Sequence, residues 1–280
     1  MKKLVVTADD VGLHPGMTRG ALAACDAGIV TAVSVAAVGR AFEPAVELLR
    51  DRPGDLSDVD VGIHLTLVGE RPLSPPERIP SLLGRDGALL SGYPALARRF
   101  LAGGLALAEI EAELRLQIER LSATGLPVVH ANAHQHLHVL PRIFDIVMRL
   151  AEEHGIRFIR IPCEPAPGGW SARSAQLAVL NHFGRRARRR LGANNHLEAV
   201  ERTLGVAGAG HLTVDRLRRA LAGAAGTNEL VCHPGRGDAD LAADYDWDYD
   251  WDAETAALCD PRVPGMLREA GIELTRFSRL

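Results

Sequence analysis

The sequence predicts an α/β fold, a single (β/α) barrel of about seven parallel strands. Three observations point there. Short apolar runs that suit strands alternate with longer segments that suit helices, the signature of parallel βαβ units. No Pro/Gly/Ser-rich linker divides the 280 residues, and no internal repeat appears at a spacing of about 20–50 residues. The glycine-rich phosphate turn expected after the first strand of an open dinucleotide-binding sheet is absent; Asp9 and Asp10 stand there instead, and carboxylates would repel a pyrophosphate.

In chain order, Leu4–Ala8 is the first strand and Asp9–Gly12 a loop. Pro15 suits the first turn of a helix carrying Ala21, Leu22 and Ala24, which Gly28 ends. Thr31–Val38 reads as the second strand, and a helix from Glu43 to Arg50 leads to the third, Val59–Leu65. Residues 69–92 are rich in Pro and Gly and suit an ordered excursion or lid before a helix over Leu107–Leu121. A strand follows Pro127 with Val128 and Val129. The next helix opens at Pro141, carries Ile143, Phe144, Ile146, Val147 and Leu150 at helical spacing, and closes at Gly155. Ile156–Ile161, Leu230–Cys232 and Ile272–Leu274 complete the strands. We therefore read residues 1–280 as one barrel domain with an excursion at 69–92.

Hydrophobic residues make up 47% of the chain, enough for a sizeable core, which excludes a disordered scaffold. A formal charge of −3 gives no global pull toward nucleic acid or anionic lipid. The longest early uncharged stretch, Ala27–Gly39, is too short to span a membrane, and Lys2 and Lys3 precede too few apolar residues for a signal peptide, so a cytoplasmic protein is expected. Cys25, Cys163, Cys232 and Cys259 lie far apart, which suits reduced thiols. The five arginines of Arg185–Arg190 read as a solvated helical face before a nucleic-acid patch. Tyr245, Trp247, Tyr249 and Trp251 alternate with aspartates, either as a rim of sugar-stacking rings or as a loop anchored by its tryptophans.

In barrels of this class the working residues sit at the C-terminal strand ends. That rule selects Asp9 and Asp10, His64, the run His130–His138, Arg160 and His233. Read as extended chain, His130, Asn132, His134, His136 and His138 share one face, and such a face at a barrel mouth suits a metal. Two adjacent acids after a buried strand are costly unless compensated; an N-cap or Asx-turn would need only one of them.

The segments Thr7-Ala8-Asp9-Asp10-Val11-Gly12, Gly62-Ile63-His64, His134-Gln135-His136-Leu137-His138 and Cys232-His233-Pro234-Gly235 resemble the YdjC-like carbohydrate deacetylases, in order over nearly the whole chain. Residues Glu70–Pro80 and Arg160–Pro165 are similar to the hopanoid-biosynthesis-associated branch of that family. The resemblance implies a barrel of the glycoside hydrolase/deacetylase type. It implies a metal-dependent hydrolase that removes the acetyl group from an N-acetylated amino sugar, carbohydrate or glycolipid, with a hopanoid glycoside as the branch's substrate. It further implies one divalent ion, Zn²⁺ or Mg²⁺, with Asp10, His64 and His134 as its ligands, Asp9 as general base, and a homodimer. Val11 and Asn132 depart from the family, which usually has Phe and often Asp there.

Within that frame Arg160 holds Asp9 ionised or forms a structural salt bridge. His233 is the candidate general acid for the leaving amine, with His136 and His138 as rivals or as partners orienting His134. The competing readings are hydrolysis of another amide, ester or glycosidic bond on the same scaffold, and a non-catalytic metal-binding protein. A glycosidase would want two carboxylates facing each other across the bond and no metal.

Overall fold

The computed structural model describes residues 1–52, 58–164 and 172–280, with Ala172 and Asp238 placed by backbone alone. Pro165, the last residue of the Arg160–Pro165 segment, lies outside the described residues. The first half runs β1 (Lys2–Val11), α1 (Pro15–Asp26), β2 (Ala32–Val35), α2 (Phe42–Arg50), β3 (Asp60–Leu65), α3 (Tyr93–Leu101), α4 (Leu107–Ser122) and β4 (Val128–Ala133). The second half runs α5 (Ile143–Glu153), β5 (Phe158–Ile159), α6 (Ala172–Leu191), β6 (Arg202–Leu204), α7 (Val214–Ala222), β7 (Thr227–Cys232), α8 (Asp238–Asp244), α9 (Trp251–Leu258), α10 (Val263–Glu269) and β8 (Ile272–Leu274).

The strands form one parallel sheet in the order β5-β4-β3-β2-β1-β7-β6, with β8 paired beside the start of β1. The sheet curls toward closure. Ile159 N donates to Glu198 O at 2.9 Å and Thr203 Oγ1 to Ile161 O at 2.8 Å, so the chain at β5 meets the chain at β6 across the seam.

Alternation along the strands sorts side chains into two layers. Leu4, Val6 and Ala8 of β1 point out and pack with Ala21 and Ala24 of α1; Ile110, Leu114 and Ile118 of α4 and Ile143 and Val147 of α5 complete the same core. The residues between them point into the lumen. Val5, Ala32, Phe158 and Phe277 plug its lower end. Above that plug the lumen is polar, built of Thr7, Asp9, Ser34, His64, His130, Asn132, Arg160 and Glu229, all buried. Parallel pairing sets their heights: His64 stands beside Asn132, Gly62 beside His130 and Val5 beside Glu229. Gly62 is needed where it stands, because a Cβ there would lie 2.3 Å from His130 Nε2.

The structure corrects the sequence reading in several places. Asp9 and Asp10 belong to the end of β1, not to a loop; a register shift between Ala8 and Val11 leaves Asp10 at φ 64°. The N-cap of α1 is His14, whose side chain accepts from Gly16 N, so neither aspartate serves as cap. The expected strand Ile156–Ile161 shrinks to Phe158–Ile159, and Thr31–Val38 to Ala32–Val35. Run His130–His138 is not one extended face. β4 stops at Ala133, and Gln135 and His136 adopt left-handed φ of 53° and 55°, a kink that breaks the extended alternation. There are eight strands among the described residues, the extra one being β6.

The 69–92 excursion forms two 3₁₀ turns, Pro76–Arg78 and Pro80–Leu82, and a Leu83–Leu89 bridge. Ile79, Leu82 and Leu89 enter the core, and Glu113 of α4 accepts from Leu73 N and Ser74 N.

Candidate functional site

Asp10, His64 and His134 converge at the mouth of the lumen, their ligand atoms all within 4.8 Å of one another. Three different strand ends deliver them: the bulge at the end of β1 turns Asp10 out of the alternation, β3 presents His64, and the turn after β4 presents His134. His134 Nδ1 lies 3.1 Å from Asp10 Oδ1, and the His64 and His134 rings meet edge-on at 5.6 Å. Asn132 fixes the state of His64. Its Nδ2 donates to Asp9 Oδ1 (3.0 Å) and Ser34 Oγ (2.8 Å), so its Oδ1 accepts from His64 Nδ1 at 2.7 Å. That leaves the lone pair on His64 Nε2. His64 Nε2 and Asp10 Oδ2 are both buried with no hydrogen-bond partner, although His64 Nε2 lies 3.1 Å from Asp10 Oδ1. Buried polar atoms are otherwise almost always satisfied. Two imidazoles and a carboxylate with unused lone pairs at one point fit a divalent cation.

Burial disfavours ionised Asp10, yet the neighbouring His134 and His64 imidazoles hold its pKa well below the usual range. Burial likewise opposes ionised Asp9, and the Arg160 guanidinium, helped by His64 and His233, holds it down. Arg160 is the hinge of the lower site. Its Nη1 and Nη2 fork Asp9 at 2.5 and 2.9 Å, while Nε and Nη2 reach Glu229 Oε1 at 2.9 and 2.7 Å. Thr7 Oγ1 also donates to Glu229 Oε1, at 2.8 Å. All three residues are buried; burial opposes the arginine's charge, and the two acids beside it drive its pKa up.

His233, just past β7, lines the same cavity as Asp9; its backbone N donates to Glu254 Oε2 at 2.6 Å, and its Nδ1 is buried without a partner. His138 does not orient His134, because its Nε2 donates to Arg160 O at 2.7 Å; burial depresses its pKa to about 4. His136 lines the cavity, and burial with the nearby Arg160 charge pushes its pKa well down. His130 lies deeper, its Nε2 accepting from Ser34 Oγ at 3.0 Å, with burial first and Arg160 second holding its pKa to about 3.

The aromatic run divides its work. Trp251 is buried as an anchor, while Trp247 lies 5.0 Å from the His134 ring and Tyr249 5.2 Å from His233. From this centre a cavity of about 690 Å³ extends between the 134–140 segment and α6, walled by Leu137, Leu140, Leu177, Leu180, Phe183 and Val206. Among the described residues none of 69–92 lines it. Glu229 and Ser34 were missed in the sequence. Glu229 carried a signal: it is a lone acid beside the apolar run Leu230–Cys232, four residues before His233.

The YdjC-like protein family matches residues 3–269. The chain belongs to that family. The carbohydrate deacetylase of Homo sapiens is 34% identical, covering 99% of this chain and 91% of its own length. The carbohydrate deacetylase of Geobacillus stearothermophilus is 30% identical, covering 98% and 96%. A solved structure from Enterococcus faecalis V583, described as a suspected cellobiose-phosphate cleavage protein, shares the fold at a TM-score of 0.76 and 21% identity, covering 99% of this chain and 98% of that one. The YdjC-like segments quoted from the sequence all sit at this one mouth. Among the described residues no helix is long and apolar enough to cross a membrane.

Proposed function

We propose that the chain, acting over residues 1–280 as one cytoplasmic domain, is a metal-dependent carbohydrate N-deacetylase. The observation that supports this most is the buried Asp10–His64–His134 cluster with its unused lone pairs, set beside an arginine-held Asp9 at the head of a cavity. The names of its relatives in Homo sapiens and Geobacillus stearothermophilus point to the same chemistry.

Asp10, His64 and His134 would hold the ion. When bound, a divalent ion supplies Lewis acidity toward a carbonyl oxygen and lowers the pKa of water. Asp9 takes the proton of the attacking water. Asn132 and Arg160 each donate to its Oδ1 and Arg160 alone to Oδ2, so the carboxylate is fixed in orientation before substrate arrives. Its low basicity costs reactivity, and the sharing of Arg160 with Glu229 offsets part of that cost. His233 donates a proton to the leaving amine from the cavity side. His136 stands in the cavity wall and contacts substrate, whereas His138 positions the Arg160 backbone. Two histidines with one carboxylate suit Zn²⁺ by ligand softness, and Mg²⁺ is the alternative with its preference for oxygen.

The cavity beyond the sugar position is apolar, with Leu177, Leu180 and Phe183 facing Leu137 and Leu140. We assign it to an apolar aglycone, so the substrate is an N-acetylglucosaminyl glycolipid, with a hopanoid glycoside as the specific member. The test measures acetate release from short chitooligosaccharides and from an N-acetylglucosaminyl lipid, with and without chelator. Chelator-sensitive release favouring the lipid supports the full reading. Release favouring the oligosaccharide keeps the deacetylase and removes the aglycone; no release from either removes both.

A further inference from the structure

The cavity opens to solvent between α3 and α6, and the surface around that opening is apolar and basic. Tyr93, Ala97 and Leu101 recur every fourth residue of α3 and share one face. Tyr93 and Ala97 line the cavity, and Leu101, 85% exposed, continues their stripe beyond it. Gln176 Nε2 of α6 donates to Tyr93 Oη at 2.7 Å, tying the two helices together at the opening. Val179 of α6 lines the cavity and is still 57% exposed.

Neither helix contains an acidic residue. The outward face of α6 shows Ala175, Ala178 and Val179 in its first half and Arg185, Arg186 and Arg189 in its second. Among the described residues these three arginines and Arg98 of α3 have no acidic partner, whereas Arg190 pairs with Asp145 and Arg188 donates to Val200 O. The chain as a whole is net negative at −3, so this rim is a local reversal of charge.

One kind of partner satisfies both features. Nucleic acid would engage the arginines and leave Leu101 and Val179 in water. A second copy of the chain, packed by the usual two-fold symmetry, would set like-charged arginines against each other. An anionic bilayer accepts apolar side chains at the headgroup boundary and guanidinium groups at its lipid phosphates. We propose that the α3–α6 rim docks on an anionic lipid surface and holds the cavity opening against it.

Docking at this surface is independent of the bond the site cleaves, and its test needs no turnover. The full chain is sedimented at low salt with phosphatidylcholine vesicles and with vesicles that also contain phosphatidylglycerol. Binding is expected only with phosphatidylglycerol, and it should be lost as ionic strength rises and the Debye length shrinks to about 3 Å near 1 M. Each arginine near such a surface is worth roughly fivefold in partitioning, so the triple variant Arg185→Gln, Arg186→Gln, Arg189→Gln should bind about 100-fold more weakly. Leu101→Ser should weaken binding as well. Unchanged thermal unfolding shows that these variants are folded, and release of acetate from a short soluble substrate should not change. The proposal is overturned if wild type ignores the anionic vesicles at low salt, or if all variants bind as it does. It is also overturned if the same substitutions instead dissociate a dimer.

Discussion

Replacing Arg160 by methionine removes the only cation hydrogen-bonded to Asp9 and Glu229 among the described residues and leaves two buried carboxylates behind. Each attraction, taken at about 4 Å with an effective dielectric near 20, is worth about 4 kcal/mol before the arginine's own desolvation is subtracted. Removing one partner of a buried ion pair costs about 3–5 kcal/mol net. The pH dependence carries more information than the size. In wild type the Asp9 pKa is depressed below its unfolded value of 3.8, so its contribution to stability is present above that pH and is lost as pH falls through the folded value. In the variant, burial is opposed only by His64, His233 and the Asn132 amide, so the folded pKa rises, toward the range of about 8–9 seen for buried carboxyls. Stability is then lost as pH rises from about 4 toward that value. The gap between the two proteins should therefore widen from about 2 kcal/mol or less near pH 5 to about 3–5 kcal/mol near pH 8. Urea unfolding in the presence of chelator measures it. A gap below about 1 kcal/mol, or one that does not change between those pH values, would refute the buried-carboxylate argument.

Three further outcomes follow from the same geometry. Asp10→Asn, His64→Ala and His134→Ala should each lower bound metal by at least about tenfold, read by elemental analysis after dialysis. Gly62→Ala drives a Cβ into His130, 2.3 Å from Nε2, and should cost about 1–3 kcal/mol in urea unfolding; substituting His130→Ala in the same chain should recover part of it. His130 and His138, held to about 3 and about 4, stay neutral in the fold while the unfolded chain takes up protons below about 6.5. Stability is thus lost as pH falls below about 6.5, by up to about 3 kcal/mol per pH unit for the two together, and His130→Gln should lower the slope by about 1.4 kcal/mol per pH unit in urea unfolding measured between pH 6.5 and 5.

The parallel sheet and its polar strand ends were legible because buried strands announce themselves as apolar runs, and Asp9, Asp10, His64 and His233 break those runs at their C-terminal edges. Alternation also correctly placed His130 and Asn132 on one face. It failed beyond His134, because nothing in Gln135 or His136 signals left-handed backbone; there Gln135 Oε1 accepts from Tyr93 N at 2.7 Å. β6, with three residues, is too short to show a period. Glu229 stayed hidden for a different reason. Its importance lies in sharing Arg160 with Asp9, a contact across 220 positions of sequence that no local pattern records. The departure at Asn132 turned out to be informative: only an amide can both donate to Asp9 and Ser34 and accept from His64.

In the proposed reaction Asp9 activates water for hydrolysis of an N-acetyl group beside an ion that Asp10, His64 and His134 would hold. Acetate release by wild type and by Asp9→Asn, with metal content determined on the same samples, tests it most directly. About one equivalent of metal is expected in both proteins, with a rate about 10²–10⁴-fold lower in the variant. Equal rates at equal metal content, or a metal-loaded wild type that releases no acetate from any N-acetylated amino sugar, would contradict it.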